Sequence, residues 1–249
     1  MLPVKIEKNQ TAPDSVKLIV EAERNGEFVY FHELLDFMPV ISFDRITEFR
    51  LDLWESKLST KEIALIAASD WAQRITDLCL SSENLTNGSL KEVAKLKSLQ
   101  WLSLISCTHK ITHLGLRHLA NLPLLKYIYF RPGLLNRKTV EALSAVPNLR
   151  ELAINCSAKP ISDQTLRVLS CLKTAQPLDL SLEDGEFVGT AEGLLQLAAI
   201  KNLQNLQINA SGIPHEITHQ TARRLFATMP ELKAIYFRQL NETFKRDQI

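Results

Sequence analysis

The stretch that decides the fold is Leu99-Gln100-Trp101-Leu102-Ser103-Leu104. Its apolar residues fall at positions one, four and six. Working outward, the same beat occurs before it as Ile46/Phe49/Leu51 and Ile75/Leu78/Leu80. It continues after it as Leu125/Ile128/Phe130, Leu149/Leu152/Ile154, Ala175/Leu178/Leu180, Leu203/Leu206/Ile208 and Leu232/Ile235/Phe237. The eight phrases start 29, 24, 26, 24, 26, 28 and 29 residues apart. Alternation inside each phrase predicts a short strand with one buried face. Behind the third phrase, Ile111-Thr112 opens a second element whose apolar residues are Leu116, Leu119 and Leu122. A spacing of three marks one face of a helix, and Thr112 is placed to cap it through its hydroxyl. The pattern recurs at Leu85/Leu90/Val93/Leu96, Leu135/Val140/Leu143/Val146 and Ile161/Leu166/Leu169/Leu172.

One strand–helix unit of about 25 residues cannot bury its own apolar face, but stacked units can. The expected architecture is an α/β solenoid of about eight repeats. A curved parallel sheet lines its concave face and helices cover its convex face. The phrase Ile111-Thr112-His113-Leu114-Gly115-Leu116, running on to Leu119, Leu122 and Leu125, resembles the I-T-D-x-G-L-x-x-L form of the leucine-rich repeat family. The likeness is to its ribonuclease-inhibitor-like branch, with a helix in each repeat, as in bacterial and F-box-type members. The resemblance covers residues 43–240. It implies a binding role on an extended surface and names no partner. The chain departs from the family at the ninth position of the phrase, where an asparagine ladder is usual. Here that position holds Trp54, Glu83, Cys107, Gly133, Ser157, Glu183, Ser211 and Leu240, so no continuous ladder can form.

The ends differ from the repeats. Residues 1–42 read as an N-terminal cap ahead of a repeat domain over 43–249. Val16–Val20 and Phe28–Phe31 flank Asn25-Gly26, a hairpin signal; a helix over Asp14–Arg24 stopped by Gly26 is the rival reading. Phe31–Met38 reads as a helix ended by Pro39. After Phe237 only a short polar tail remains, with Leu240, Phe244 and Ile249 as its apolar content. Either this tail folds over the last repeat, or two chains meet end to end through the C-terminal repeat, since an open strand edge invites pairing.

Composition narrows the partner class. The formal net charge is +1 and no long run of like charge occurs, which argues against nucleic acid or an anionic membrane surface as the main partner. No apolar stretch approaches the ~20 residues that span a bilayer. Met1-Leu2-Pro3-Val4-Lys5-Ile6-Glu7-Lys8 carries charge where a signal peptide needs an apolar core. A cytoplasmic location is therefore expected. Cys79, Cys107, Cys156 and Cys171 lack C-x-x-C spacing and fit a reduced setting as small packing groups. Six Asn-x-Ser/Thr triplets, at Asn9, Asn84, Asn87, Asn155, Asn209 and Asn241, fall largely in turns. Without a leader they would not meet the glycosylation machinery.

Function should lie on the exposed strand positions. In order these are Glu48/Arg50/Asp52, Asp77/Cys79/Ser81, Trp101/Ser103/Ile105 and Tyr127/Tyr129/Arg131. Glu151/Ala153/Asn155, Pro177/Asp179/Ser181, Asn205/Gln207/Asn209 and Ala234/Tyr236/Arg238 follow. Trp101, Ile105, Tyr127, Tyr129 and Arg131 become neighbours on adjacent strands. Tyr236 and Arg238 repeat the Ile-Tyr-Phe-Arg phrase of the fourth repeat. Trp, Tyr and Arg are enriched where protein partners dock. Aromatics also cover sheet surfaces through β propensity alone. The expected role is a non-enzymatic scaffold holding a protein partner, or the substrate-recognition part of a system whose enzyme is a separate chain, including a bacterial effector.

One enzyme motif competes. His215-Glu216-Ile217-Thr218-His219 spells H-E-x-x-H, which on one helix places two zinc ligands and a general base. Pro214 precedes it, and Ile217 aligns with the turn residue Ile111. That alignment starts the helix after Thr218 and makes the two histidines straddle a turn. The third repeat carries His109-Lys110-Ile111-Thr112-His113 in the matching place, four repeats and roughly 19 Å away. On this reading there is no metal site, no catalytic residue and no cofactor. A Gly-rich phosphate loop and G-x-S-x-G are likewise absent from the sequence.

Overall fold

A computed structural model describes residues 4–8, 16–21, 23–24, 27–28, 38, 46–53, 58–105, 110–133 and 135–248. Its body is one eleven-stranded sheet in the order β1-β2-β5-β6-β7-β8-β9-β10-β11-β12-β13. The repeat strands are β5 (Ile46–Leu53), β6 (Asp77–Leu80), β7 (Trp101–Leu104) and β8 (Tyr127–Phe130). They continue as β9 (Glu151–Asn155), β10 (Leu178–Glu186), β11 (Leu203–Ser211) and β12 (Ala234–Phe237). All eight run parallel, each beside its neighbour in sequence. Between them lie α1 (Thr60–Ala68), α2 (Asn87–Val93), α3 (His113–Leu116), α4 (Arg137–Ser144), α5 (Asp163–Leu169), α6 (Ala191–Leu195) and α7 (His215–Thr228). The molecule is thus an α/β leucine-rich-repeat solenoid, as the sequence pattern requires.

The core is a line of leucines. Leu102, Leu104, Ile128 and Phe130 point inward from β7 and β8 and are buried, as are Leu116, Leu119 and Leu122 from the helical segment behind them. Each repeat leans only on its neighbours, so the core grows lengthwise. Side chains cap the helices as their sequences ask. Thr112 accepts from the Leu114 N–H at 3.2 Å, and Ser59 with Glu62 forms a capping box at the start of α1. Capping also crosses between repeats. The Asn87 side-chain oxygen accepts from the backbone N–H of Thr112 at 2.8 Å and of Gly115 at 3.0 Å. Asp163 does the same for Thr190, accepting its N–H at 2.7 Å and its hydroxyl at 3.0 Å. Inter-repeat bonding at the helix starts stands beside the missing asparagine ladder of the strand turns.

Two phrases sit in a different register from the one expected. β5 pairs Leu51 with Leu78 and Leu53 with Leu80, so the first phrase is shifted two residues from Ile46/Phe49/Leu51. β10 pairs Leu180 with Leu152 and Leu182 with Ile154, so the sixth is shifted likewise. Ala175, read as a buried strand residue, is exposed and precedes the strand. In both places apolar residues continue at alternate positions, and only pairing with a neighbour chooses between the two frames.

The N-terminal segment extends the sheet. β2 (Val16–Glu21) pairs parallel with β5, and β1 (Val4–Lys8) pairs antiparallel with β2. The helix over Asp14–Arg24 is therefore not formed. β3 (Glu23–Arg24) and β4 (Glu27–Phe28) pair antiparallel, while Val16–Val20 belongs to the large sheet; Asn25-Gly26 itself lies outside the described residues. Of the expected helix Phe31–Met38, all but Met38 lies outside the described residues; Met38 is buried.

At the other end the tail folds back. β13 (Glu242–Lys245) runs antiparallel to β12, pairing Phe244 with Ile235. The Phe244 ring meets Phe237 edge-on at 5.9 Å and the His219 ring at 4.8 Å. Arg246 donates from Nε to the Leu232 carbonyl at 2.8 Å and from its terminal nitrogen to the carbonyls of Phe226 and Met229. A guanidinium there satisfies carbonyls at the C-terminal end of α7 and suits its dipole.

Candidate functional site

Among the described residues, the helices pack against the leucine face of the sheet and none lies on the other. Parallel pairing sets its side chains in rows. One row runs Arg50, Asp77, Trp101, Tyr127, Glu151, Asp179 and Asn205. The next runs Asp52, Cys79, Ser103, Tyr129, Ala153, Ser181, Gln207 and Tyr236.

The first half of the face is aromatic, with Arg50 set among carboxylates at its edge. Trp101 and Tyr127 stack with ring planes 1° apart and centroids at 4.7 Å. The separation matches the strand spacing, so the rings stand upright on neighbouring strands. The Arg50 guanidinium lies over the Trp101 ring at 5.1 Å, and its Nε donates to both oxygens of Asp52 at 2.9 Å. Asp52 is 4% exposed, so the pair is largely shielded from solvent on the acid's side. Tyr129 sits beside Ala153, and its hydroxyl accepts from the Asn155 side chain at 2.7 Å. Burial, with the charges of Glu151 and Glu183 behind it, pushes the Tyr127 hydroxyl up to about 12. Burial also raises Tyr129, partly offset by the Asn155 bond.

The second half is acidic and amide-rich. Glu183, by the revised register, stands beside Asn155 and Asn209 on the strand rather than in the turn. It accepts from Gln207 at 3.0 Å, from Asn209 at 2.9 Å and from Ser181. Asp179 accepts from Asn205 at 2.7 Å, and Asp184 from Asn155 at 2.9 Å. In this half the surface sinks into a shallow depression of about 400 Å³, bounded by Tyr127 on one side and Tyr236 on the other.

Of the expected site residues, five come together. Trp101 and Tyr127 stack, Tyr129 lies on the same strand as Tyr127, and Ile105 and Arg131 follow their strands with backbone bonds to Leu80 and Leu104 at 3.0 and 3.2 Å. Tyr236 stands four strands from Tyr129, across the depression, and Arg238 is exposed in a turn after β12. Several positions expected to be exposed are not. Cys79, Ser81, Ser103, Ala153 and Asn155 are buried, since small side chains between tall neighbours lose contact with solvent. The acidic half was not singled out by sequence. Its members were visible one by one, and the two-residue shift of the sixth phrase hid the place of Glu183.

The H-E-x-x-H phrase also stands differently. α7 begins at His215 with Pro214 as its N-cap residue, so His215 and His219 lie one turn apart on a single helix. Ile213, two residues ahead of the start of α7, is buried and takes the place that Ile111 holds ahead of α3. His215 therefore corresponds to His113, and the apparent repeat of H-x-I-T-H was an alignment four residues out. Pro214 permits this because proline is tolerated where a helix starts, its missing N–H being unneeded there. Among the described residues no group of three His, Cys, Asp or Glu side chains is placed to hold a metal ion. The Cys79 and Cys156 side chains are buried, and Cys171 is partly exposed. No described helix is long and apolar enough to cross a membrane.

Compared with known protein families and with curated proteins, the chain matches none. Among solved structures it is similar to the TLR13–ssRNA13 complex, at 16% identity and a TM-score of 0.35 over 78% of this chain. The match spans 30% of that structure's chain.

Proposed function

We propose that this solenoid is a non-enzymatic scaffold that holds a protein partner on the open face of its sheet, centred on Trp101, Ile105, Tyr127, Tyr129 and Arg131. The observation that carries this reading is the upright Trp101–Tyr127 stack on the sheet face opposite the leucines. Large rigid rings lose little conformational entropy on docking and supply most of the energy at protein interfaces. The repeat form of residues 111–125 supports the ribonuclease-inhibitor-like branch. Tyr236 and Arg238 would extend the contact along the array. In the related reading, the same face selects a target for an enzyme carried by a separate chain. Association of two copies at the C-terminal end would use the outer edge of β13.

The test is capture of the partner from the source cell by wild type and by Trp101→Ala and Tyr129→Ala. Each substitution should weaken binding by more than about 1 kcal/mol with the fold intact. Equal affinity in both variants removes this reading.

A further inference from the structure

We propose that the depression between Tyr127 and Tyr236 seats an arginine side chain of the protein partner, an assignment that rests on the scaffold reading above. The chain itself shows how the aromatic wall receives a guanidinium. At one end, Arg50 lies on the Trp101 ring at 5.1 Å and is held there by Asp52. At the other end, the rings stand upright with 4.7 Å between centroids, so Tyr127 turns its second face towards β9. The residue paired with Tyr127 on β9 is Glu151, and the one beyond it on β10 is Asp179. Ring and carboxylate therefore recur on the far side of the stack, and the cation between them is supplied from outside.

Charge agrees with this. Asp52, Glu92, Glu141 and Glu192 each hold an ion pair. Glu151, Asp179 and Glu183 pair with no basic side chain among the described residues. Glu183 and Asp179 accept only from amides and a hydroxyl, which carry no compensating charge. Glu151 is exposed at the rim. A guanidinium lying flat on Tyr127 could fork its N–H groups over Glu151 and Asp179 at once. An ammonium offers neither the plane nor the fork. The occupant is therefore an arginine-bearing segment rather than a merely cationic one.

The experiment uses the full chain and two short probes, acetyl-Gly-Arg-Gly-Arg-Gly-amide and its lysine counterpart, titrated by calorimetry. The arginine probe should bind saturably and about fivefold more tightly than the lysine probe. Glu151→Gln with Asp179→Asn should weaken it about tenfold while leaving the melting temperature in place. Tyr127→Leu, which keeps bulk and loses the ring face, should erase the preference for arginine over lysine. Absence of saturable arginine binding, equal affinity for both probes, or an unchanged constant in the double variant would overturn the assignment. So would a protein partner released by Trp101→Ala yet held undiminished by the double variant, a result that leaves the scaffold reading standing. A partner held equally by all the variants would remove both.

Discussion

The side-chain oxygen of Asn87 stands where a Cβ on Gly115 would have to go. An alanine there would bring its methyl within 2.6 Å of that oxygen and 2.9 Å of the Asn87 Cα. The same crowding recurs three repeats further on, where a Cβ on Gly193 would fall on the Asp163 carboxylate. Glycine in these short helices is thus the room in which the previous repeat's side chain caps the next.

Gly115→Ala should therefore destabilise the fold by about 1–3 kcal/mol, although alanine is the better helix former by up to ~1 kcal/mol. Urea unfolding of Gly115→Ala, Asn87→Ala and the double variant would check this. The double variant should lose less than the two singles combined, because removing Asn87 removes most of the clash. A stabilised Gly115→Ala would refute the account.

Removing residues 242–249 should lower the melting temperature or cause self-association. The deletion strips β13 from β12, uncovers Phe237 and takes away the Arg246 bonds to the end of α7. Burial of a Phe side chain alone contributes about 1.5–3 kcal/mol. A truncated chain that stays monomeric at high concentration and melts as before would show that the tail covers nothing of consequence.

The purified protein should hold less than one zinc per chain, and chelation should leave its melting unchanged. His215 and His219 share a helical face, but a catalytic zinc takes three protein ligands. The His219 ring is packed edge-on against Phe244. One tightly bound zinc, lost in His219→Ala, would promote a metal-dependent hydrolase instead.

Alkaline pH should act through the half-buried Tyr127 hydroxyl and the Cys156 thiol in the core. Tyr127 is raised from 10.0 to about 12, so below pH 10 it is protonated in both states and stability is intact. Between pH 10 and about 12 the unfolded chain ionises first, and stability falls across that window. Burial raises the Cys156 thiol from 9.0 to about 12 and adds loss in the same direction. At pH 8 an alkylating reagent should therefore label the partly exposed Cys171 in the native protein and spare Cys156. Peptide mapping by mass spectrometry reads this directly, and labelling of Cys156 at the rate seen in urea would contradict it.

The architecture was legible because its signal is redundant. Repeat lengths, alternating leucines and Thr112-type caps all demand the same stacked unit, and errors in one phrase leave the others untouched. Register was legible only where a phrase is bounded by polar residues. Phe49, Leu51 and Leu53 alternate without a break, as do Leu178, Leu180 and Leu182, and in both cases the frame chosen was two residues early. A slip of two keeps every side chain on its own face. Arg50, Asp52, Asp179 and Ser181 thus fall on the right side of the sheet, but the early frame sets them beside the wrong residues of the next strand. The aromatic cluster was visible because Trp101 and Tyr127 lie in phrases with unambiguous frames. The acidic half was not, because its central residue, Glu183, entered the strand only with the corrected frame. Pro214 misled for another reason: alone in a sequence it signals a break, and only its place before the first helical residue turns that signal into a start.

The strand directions at the two ends carry a consequence for how such a molecule can change in size. β1 against β2 and β13 against β12 are antiparallel, while each pairing between them is parallel. A new strand–helix module added outside β13 would meet an edge of the wrong polarity to continue the ladder, and would first have to displace it. A module inserted between two parallel neighbours meets the same polarity on both sides. Lengthening by duplication is thus an interior event for this sheet, and its two outermost strands act as bookends that move apart while keeping their own partners.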